Sequence, residues 1–295
     1  MLDFKRITIE DKEKIDKYLY DSGEISCDTT FINLLVWQNA YGTEFAEKDG
    51  NLFIKMHSNS TETFSLPFGE NFERAMSEIK EYCNGCFPEF YAQEGPRFEK
   101  FKGLYGSSFL IDEYRDAFDY IYLSSDLANL SGKKYHSKRN HISSFSKKYD
   151  WKYERIEKNN IDKVIGCAEK WYSENTEKSD LYLRVEHDGL LKVLQNMEPL
   201  GARGGAITIN GDVVAFSVGS PVSEEVFDVH YEKALSDFAE AYTVINREFV
   251  RNELTGYKYI NREDDMGLDG LRKAKLSYKP TVLLKKYFCK GRVQP

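Results

Sequence analysis

GAITINGDVVAFSVGSPVSEEVFDVHYEKALSDFAEAYTVINREF, residues Gly205 to Phe249, decides how the rest of the chain is read. Apolar residues alternate on both sides of Asn210-Gly211-Asp212, a turn signal that joins two antiparallel strands. A long strand-like run, EVFDVHYEKA, follows and completes a three-strand meander. The period then changes. Phe238, Ala241, Tyr242, Ile245 and Phe249 recur at helical spacing and put an apolar stripe on a helix. Upstream, WKYERI reads as a strand, and IDKVIGCAEKWYSE and VEHDGLLKVLQNM as helices. Downstream, YKYINRE reads as a strand, LDGLRKAKLSY as a helix and KPTVLLKKYF as a final strand.

Strand, two helices, meander, helix, strand, helix, strand is the order expected of the N-acetyltransferase (GNAT) fold. The earlier part of the chain repeats it. IEDKEKIDKYLY and TTFINLLVWQNAYG read as helices, and TEFAEKDGNLFIKMH as a hairpin closing at Asp49-Gly50. TFSLPFG is a further strand, ENFERAMSEIKEYC a helix capped by Asn71, PEFYAQEG a strand and PRFEKFKGLYG a helix opening on proline. SSFLIDEYRDAFDYIYL reads as a pair of strands. The expected fold class is α+β, with tandem GNAT-like (acyl-CoA N-acyltransferase-like) domains, each a mixed, mainly antiparallel sheet flanked by helices. Residues 1–123 form the first domain, 124–150 a basic linking helix, and 151–295 the second domain, which is expected to carry the site. In the linking helix Tyr135, Ile142, Phe145 and Tyr149 can share one face, leaving the cations outward.

The bulk numbers agree with a soluble globular protein. Of 295 residues, 41% are apolar and 14% aromatic, ample for packed interiors. No run approaches the roughly 18 apolar residues of a membrane span, and the first residues turn polar at once, so a cytoplasmic location is expected. Five cysteines suggest no disulfide framework, and Cys83-Asn-Gly-Cys86 is a lone pair without zinc spacing. No metal ligand set is therefore expected. The net charge of −7 conceals segregation, because Ser131–Tyr149 holds six Lys/Arg, Gly270–Pro295 holds eight, and neither holds an acid. Such segments are either solvated faces or a polyphosphate or RNA footprint.

The stretch from Tyr259 to Pro280, YINREDDMGLDGLRKAKLSYKP, sets acid against base. If Tyr259 to Arg262 complete a strand, Asn261 and Glu263 face one way and Arg262 and Asp264 the other. The carboxylates then sit at the strand's end, able to hold an amine or take its proton. Arg272, Lys273 and Lys275 ride on the next helix near its start, where a phosphate is favoured. The acidic cluster and the basic helix are expected to border one shared cavity. Glu232 and Lys233 end the long strand beside it, with Glu232 a second candidate base. His230 falls on the same face as Glu232 and reads as a packed strand histidine. Tyr242 and Asn246, one helical turn apart, are candidates to protonate a leaving group and to position substrate.

Three segments, LSGKKYHSKRNHISSF, VHYEKALSDFAEAYTVINREF and YINREDDMGLDGLRKAKLSYKP, resemble a bacterial family of tandem GNAT-fold proteins. That family is related to the C-terminal domain of phosphatidylglycerol lysyltransferases and, more distantly, to Fem-type aminoacyltransferases. The resemblance implies aminoacyl transfer from aminoacyl-tRNA. It brings forward Lys133, Lys134, Lys138, Arg139, Asn140, Glu232, Lys233, Asn246, Asn261, Glu263, Asp264, Arg272, Lys273 and Lys275 as site residues. Two departures stand out. The membrane-embedded portion of the lysyltransferases has no counterpart here, which speaks against a lipid acceptor. EKALSDFAEA lacks the glycines with which coenzyme A-using enzymes cradle pyrophosphate, so acetyl-CoA or another acyl-CoA is the weaker donor.

Together these readings predict an acyl- or aminoacyltransferase acting on an amine or hydroxyl of a small amine or peptide. Glu263, Asp264, Glu232 and Tyr242 would do the chemistry. Lys133, Lys134, Lys138, Arg139, Arg272, Lys273 and Lys275 would hold donor phosphates, and Asn140, Lys233, Asn246 and Asn261 would position substrate. No cofactor is required, tRNA is the expected partner, and the internal pseudo-dimer of two copies is compatible with a monomer. The alternatives are an acyl-CoA-dependent N-acyltransferase and a non-catalytic RNA- or nucleotide-binding module.

Overall fold

The computed structural model of the chain describes residues 1–58, 61–175 and 181–292. In chain order the strands are β1 Lys5–Arg6, β2 Glu44–Lys48, β3 Asn51–Ser58, β4 Thr61–Ser65, β5 Phe68–Gly69, β6 Glu89–Gln93, β7 Phe109–Glu113, β8 Asp119–Leu123, β9 Trp151–Arg155, β10 Arg203–Ile209, β11 Asp212–Pro221, β12 Val226–Ala234, β13 Tyr259–Asn261, β14 Val282–Leu284 and β15 Lys286–Gly291. The α-helices are α1 Lys12–Asp21, α2 Phe31–Tyr41, α3 Phe72–Tyr82, α4 Pro96–Tyr105, α5 Ser124–Asn129, α6 His136–Lys148, α7 Ile161–Asn175, α8 Leu181–Gln195, α9 Met197–Leu200, α10 Ala241–Glu253 and α11 Asp269–Leu276.

Two mixed sheets carry the tandem GNAT-like organisation. One runs β1-β2-β3-β4-β6-β15-β7, with β5 on β3, and the other runs β14-β8-β13-β12-β11-β10-β9. Among the described residues each contains one parallel pair, β4 with β6 and β12 with β13, and is otherwise antiparallel. The two expected hairpins form where Asp49-Gly50 and Asn210-Gly211 take successive positive φ values, 49° and 75°, then 54° and 88°. Asn71 caps α3 by accepting the Arg74 N–H. In the linking segment Tyr135, Ile142 and Phe145 are buried as their spacing predicts.

Strand exchange departs from the sequence reading. The stretch Ser107 to Leu123 does hold two strands, yet β7 lies in the first sheet and β8 in the second. The single strand expected from KPTVLLKKYF is divided at Lys285. Its β14 half pairs with β8, and β15 inserts between β6 and β7 of the other sheet. Boundaries at 123 and 151 therefore do not follow sheet membership, since β8 and β15 each serve the opposite unit; residues 293–295 of the second unit lie outside the described residues. Local periodicity says that a segment is extended, and nothing in it names the partner strand.

The inner faces of both sheets share one core. Ile15, Phe31, Leu35 and Val36 from the first half pack with Val164, Leu190, Val193 and Tyr231 from the second. Removing this much apolar surface from water fixes the halves against one another. Separate cores lie on the outer faces, one with Phe53, Phe90 and Phe101, the other with Tyr122, Tyr135 and Phe249.

Candidate active site

Two strands position the site. β12 pairs with β13 through Val226–Asp228, and among the described residues it runs on from Val229 to Ala234 without a neighbouring strand on that side. β13 ends because Glu263 adopts a left-handed φ of 57°, uncommon for a residue with a Cβ. Strand alternation stops there. Asn261 and Arg262 face opposite ways as expected, and Asp264 is turned instead toward Lys286 and Lys275, which lie within electrostatic reach.

A β-bulge reorganises the long strand. Val218 pairs with Tyr231 and Gly219 with Val229, which leaves His230 as the extra residue. Its effect is a change of parity. Phe227 and Val229 pack toward α10, whereas Tyr231 packs into the core shared by both halves. His230 and Glu232 accordingly serve different clusters, which corrects the expectation of a common face.

On the α10 face, Arg262 Nη2 donates to Glu232 Oε1 at 2.6 Å, and Asn246 Nδ2 donates to Glu232 Oε2 at 3.0 Å. Among the described residues, Arg262 Nη1 and Asn246 Oδ1 are buried with no hydrogen-bond partner. Lys138 reaches in from α6, its Nζ 3.8 Å from the centroid of the Tyr278 ring. Burial and then the Arg262 charge push Lys138 down to about 8, against the opposing pull of Glu232. Two cations with unused donors suit an anionic group. Tyr242 lies on α10 and receives the Trp171 Nε1–H at 3.0 Å; burial raises its pKa, so it keeps its proton.

The opposite face is acidic. Glu263 Oε1 accepts from Asn33 Nδ2 at 2.9 Å and lies 3.1 Å from His230 Nδ1. Asn261 donates to Asp119 at 3.0 Å, and Asp119 forms an ion pair with Lys286 at 2.7 Å. Asp264 is half-buried beyond them; burial raises it to about 6, with Lys286 and Lys275 acting in the other direction. Tyr41, Tyr91 and Tyr114 feel the Asp264 charge, and the Tyr41 ring lies 6.3 Å from that of Tyr182, tilted by 47°. Tyr41, Tyr114 and Tyr182 are exposed, so carboxylates and aromatic rings face solvent together, a surface that suits a cationic amine.

Other predicted residues have different work. Arg272 pairs with Asp265 and Asp116 at 2.9 and 2.7 Å, and Lys275 turns inward to the carbonyls of Arg262 and Asp264. Acid and base thus bind each other directly rather than standing apart as two sides of an opening. Arg139 donates to the Leu130 and Gly132 carbonyls, Lys134 pairs with Asp126, and Lys233 pairs with Glu186. The Asn140 side chain meets His136, while Lys133 and Lys273 are exposed on the surface. Lys286, Asp119 and Arg262 were not singled out by the sequence reading. Arg262 had a signal, its alternation with Asn261; the other two join only through the strand exchange.

Comparison with known proteins gives this geometry a context. Residues 22–290 match the family model described as phosphatidylglycerol lysyltransferase, C-terminal. A protein of unknown function from Bacteroides thetaiotaomicron is 35% identical, with a TM-score of 0.91 over 99% of this chain and 100% of that one. L-PGS from Bacillus licheniformis is similar in fold, at 14% identity and a TM-score of 0.64 over 96% of this chain and 92% of that one. An uncharacterised protein of Mycoplasmoides gallisepticum is 26% identical over 178 residues, 58% of this chain and 56% of that protein. The chain therefore spans about half the length of the curated relative it matches.

Proposed function

The chain belongs to the family defined by the C-terminal part of phosphatidylglycerol lysyltransferases, and from that premise we propose that it is a cytoplasmic aminoacyltransferase. In this reading it moves an aminoacyl group from tRNA to an amine or hydroxyl of a small molecule or peptide. The observation that carries it is the contrast across β13. An unpartnered guanidinium nitrogen of Arg262 lies with Lys138 on one side, and the carboxylates of Glu263 and Asp264 lie on the other.

Lys138 and Arg262 hold a phosphate of the donor's acceptor end, while exposed Lys133 and Lys147 follow the backbone farther out. Asp264 takes a proton from the attacking amine or hydroxyl. The nucleophile bonds to the ester carbonyl carbon, the carbon–oxygen bond to the ribose breaks, and the proton that Asp264 removed passes to the leaving oxygen. Coenzyme A is the poorer donor because Glu240 stands at the N-cap of α10, where pyrophosphate would need free N–H groups. Its carboxylate pairs with Lys148 at 3.1 Å.

Incubation with labelled aminoacyl-tRNA and a panel of amine, peptide and lipid acceptors tests the proposal. Wild type should form product, and Asp264→Asn should lose about 100-fold or more of the rate. Retained tRNA binding with no transfer to any acceptor would make the chain an RNA-binding module. Tight calorimetric binding of acetyl-CoA would favour the acyl-CoA route.

A further inference from the structure

We propose that Asp228, His230 and Glu263 form a binding site for one divalent first-row transition-metal ion. No such set is visible in sequence, because Glu263 lies far along the chain from Asp228-Val229-His230. The fold gathers them. One ligand atom from each residue lies within 4.8 Å of the other two. His230 Nδ1 is 3.3 Å from Asp228 Oδ2 and 3.1 Å from Glu263 Oε1. Ligand atoms on a tetrahedral ion with bonds of about 2.0–2.1 Å stand about 3.3 Å apart, which the two distances from His230 Nδ1 match.

Hydrogen bonding alone leaves the cluster incomplete. A single ring nitrogen carries at most one proton, yet two carboxylates approach His230 Nδ1. Asp228 has no accessible surface, and among the described residues neither of its carboxylate oxygens has a hydrogen-bond partner, although His230 Nδ1 stands 3.3 Å from Oδ2. A buried, unsatisfied carboxylate is costly, and a coordinated cation removes that cost. Two carboxylates and a neutral imidazole also balance the charge of a divalent ion.

The surroundings match what metal ligands need. Ser220 Oγ is 2.8 Å from His230 Nε2 and can accept its N–H, which leaves the Nδ1 lone pair for the ion. Asn33 orients Glu263 from α2 by donating to Oε1 at 2.9 Å. Asp228 is held between β11 and β13, opposite Ser220 on one strand and Asn261 on the other. The bulge at His230 brings the imidazole to this face. Glu263 is the one partly exposed member, its side chain 23% accessible, so the remaining coordination position opens toward solvent. One imidazole with two carboxylates favours Zn²⁺, Mn²⁺ or Fe²⁺ over Mg²⁺ or Ca²⁺.

The proposal does not rest on the transferase reading, and its test needs no substrate. Full-length chain stripped with chelator is titrated calorimetrically with Zn²⁺ and, separately, Mn²⁺. Wild type should take up one ion per chain and melt at a higher temperature when loaded. His230→Gln and Asp228→Asn should lose the stoichiometric site, and Ser220→Ala should bind about ten-fold more weakly. Glu263→Gln, altered at a partly exposed side chain, should lose the site likewise and keeps the test open if the buried variants fail to fold. Absence of one-to-one binding by both ions, or binding that survives His230→Gln and Glu263→Gln alike, overturns the proposal.

Discussion

Lys286 Nζ lies 2.7 Å from Asp119 Oδ1, and neither side chain has any accessible surface, although their strands belong to different sheets. Asp119 also receives the Cys27 N–H at 2.9 Å and the Ser26 hydroxyl at 3.0 Å, and Lys286 reaches Asp28 at 2.6 Å. The pair ties the exchanged strands β8 and β15 to the loop before α2. Lys286→Met should cost about 3–5 kcal/mol, because it leaves Asp119 charged and buried without its cation. Urea denaturation measures this. A loss below about 1 kcal/mol would mean that water reaches Asp119.

The seam between the halves has a second sensitive point. A Cβ on Gly189 of α8 would collide with the Val36 side chain of α2 and approach Tyr231 Oη at 3.2 Å. Gly189→Ala raises helix propensity yet should destabilise by about 1–3 kcal/mol, since overpacking outweighs the backbone gain. Pairing it with Val36→Ala should recover much of the loss. Thermal unfolding of the single and double variants decides it.

Lys138 makes anion binding sensitive to alkaline pH. Burial, then Arg262, lowers it to about 8, so the ammonium is charged below that value and neutral above. Affinity for pyrophosphate should stay level to about pH 8 and then fall. Lys138→Arg should remove the bend, because guanidinium stays protonated. Stability moves the opposite way. A lysine whose folded value is lowered binds fewer protons when folded, so its contribution to stability improves as pH rises from about 8 toward the unfolded value. A pH titration that is flat through this range in wild type would remove Lys138 from the anion site.

Affinity for tRNA should fall steeply with salt, because phosphate contacts release counterions. Lys133→Ala and Lys138→Ala should each weaken binding and lower the slope of log affinity against log salt by about one. Filter binding across a salt series tests this, and an unchanged slope in both variants would place the nucleic acid elsewhere.

Much of the fold was legible because each segment carries its own period. The stripe on α10, the Asn210-Gly211 turn and the Asn71 cap all depend on neighbours in sequence. Part of one candidate cluster was legible. Glu232, Asn246 and Lys138 gather around Arg262. Arg272 and Lys275 looked free and instead neutralise or brace the adjoining loop, since formal charge does not tell which partner will be within reach.

Sequence by itself determined most of the helices and strands, where the two hairpins turn, and that two similar plans follow one another, because those properties arise from side-chain periodicity and local backbone preference. Tertiary structure alone decided the exchange of β8 and β15, the parity change at His230 and the meeting of Asp228 with Glu263. These depend on strand partners distant in the chain, which are chosen by the burial of whole faces rather than by any local pattern.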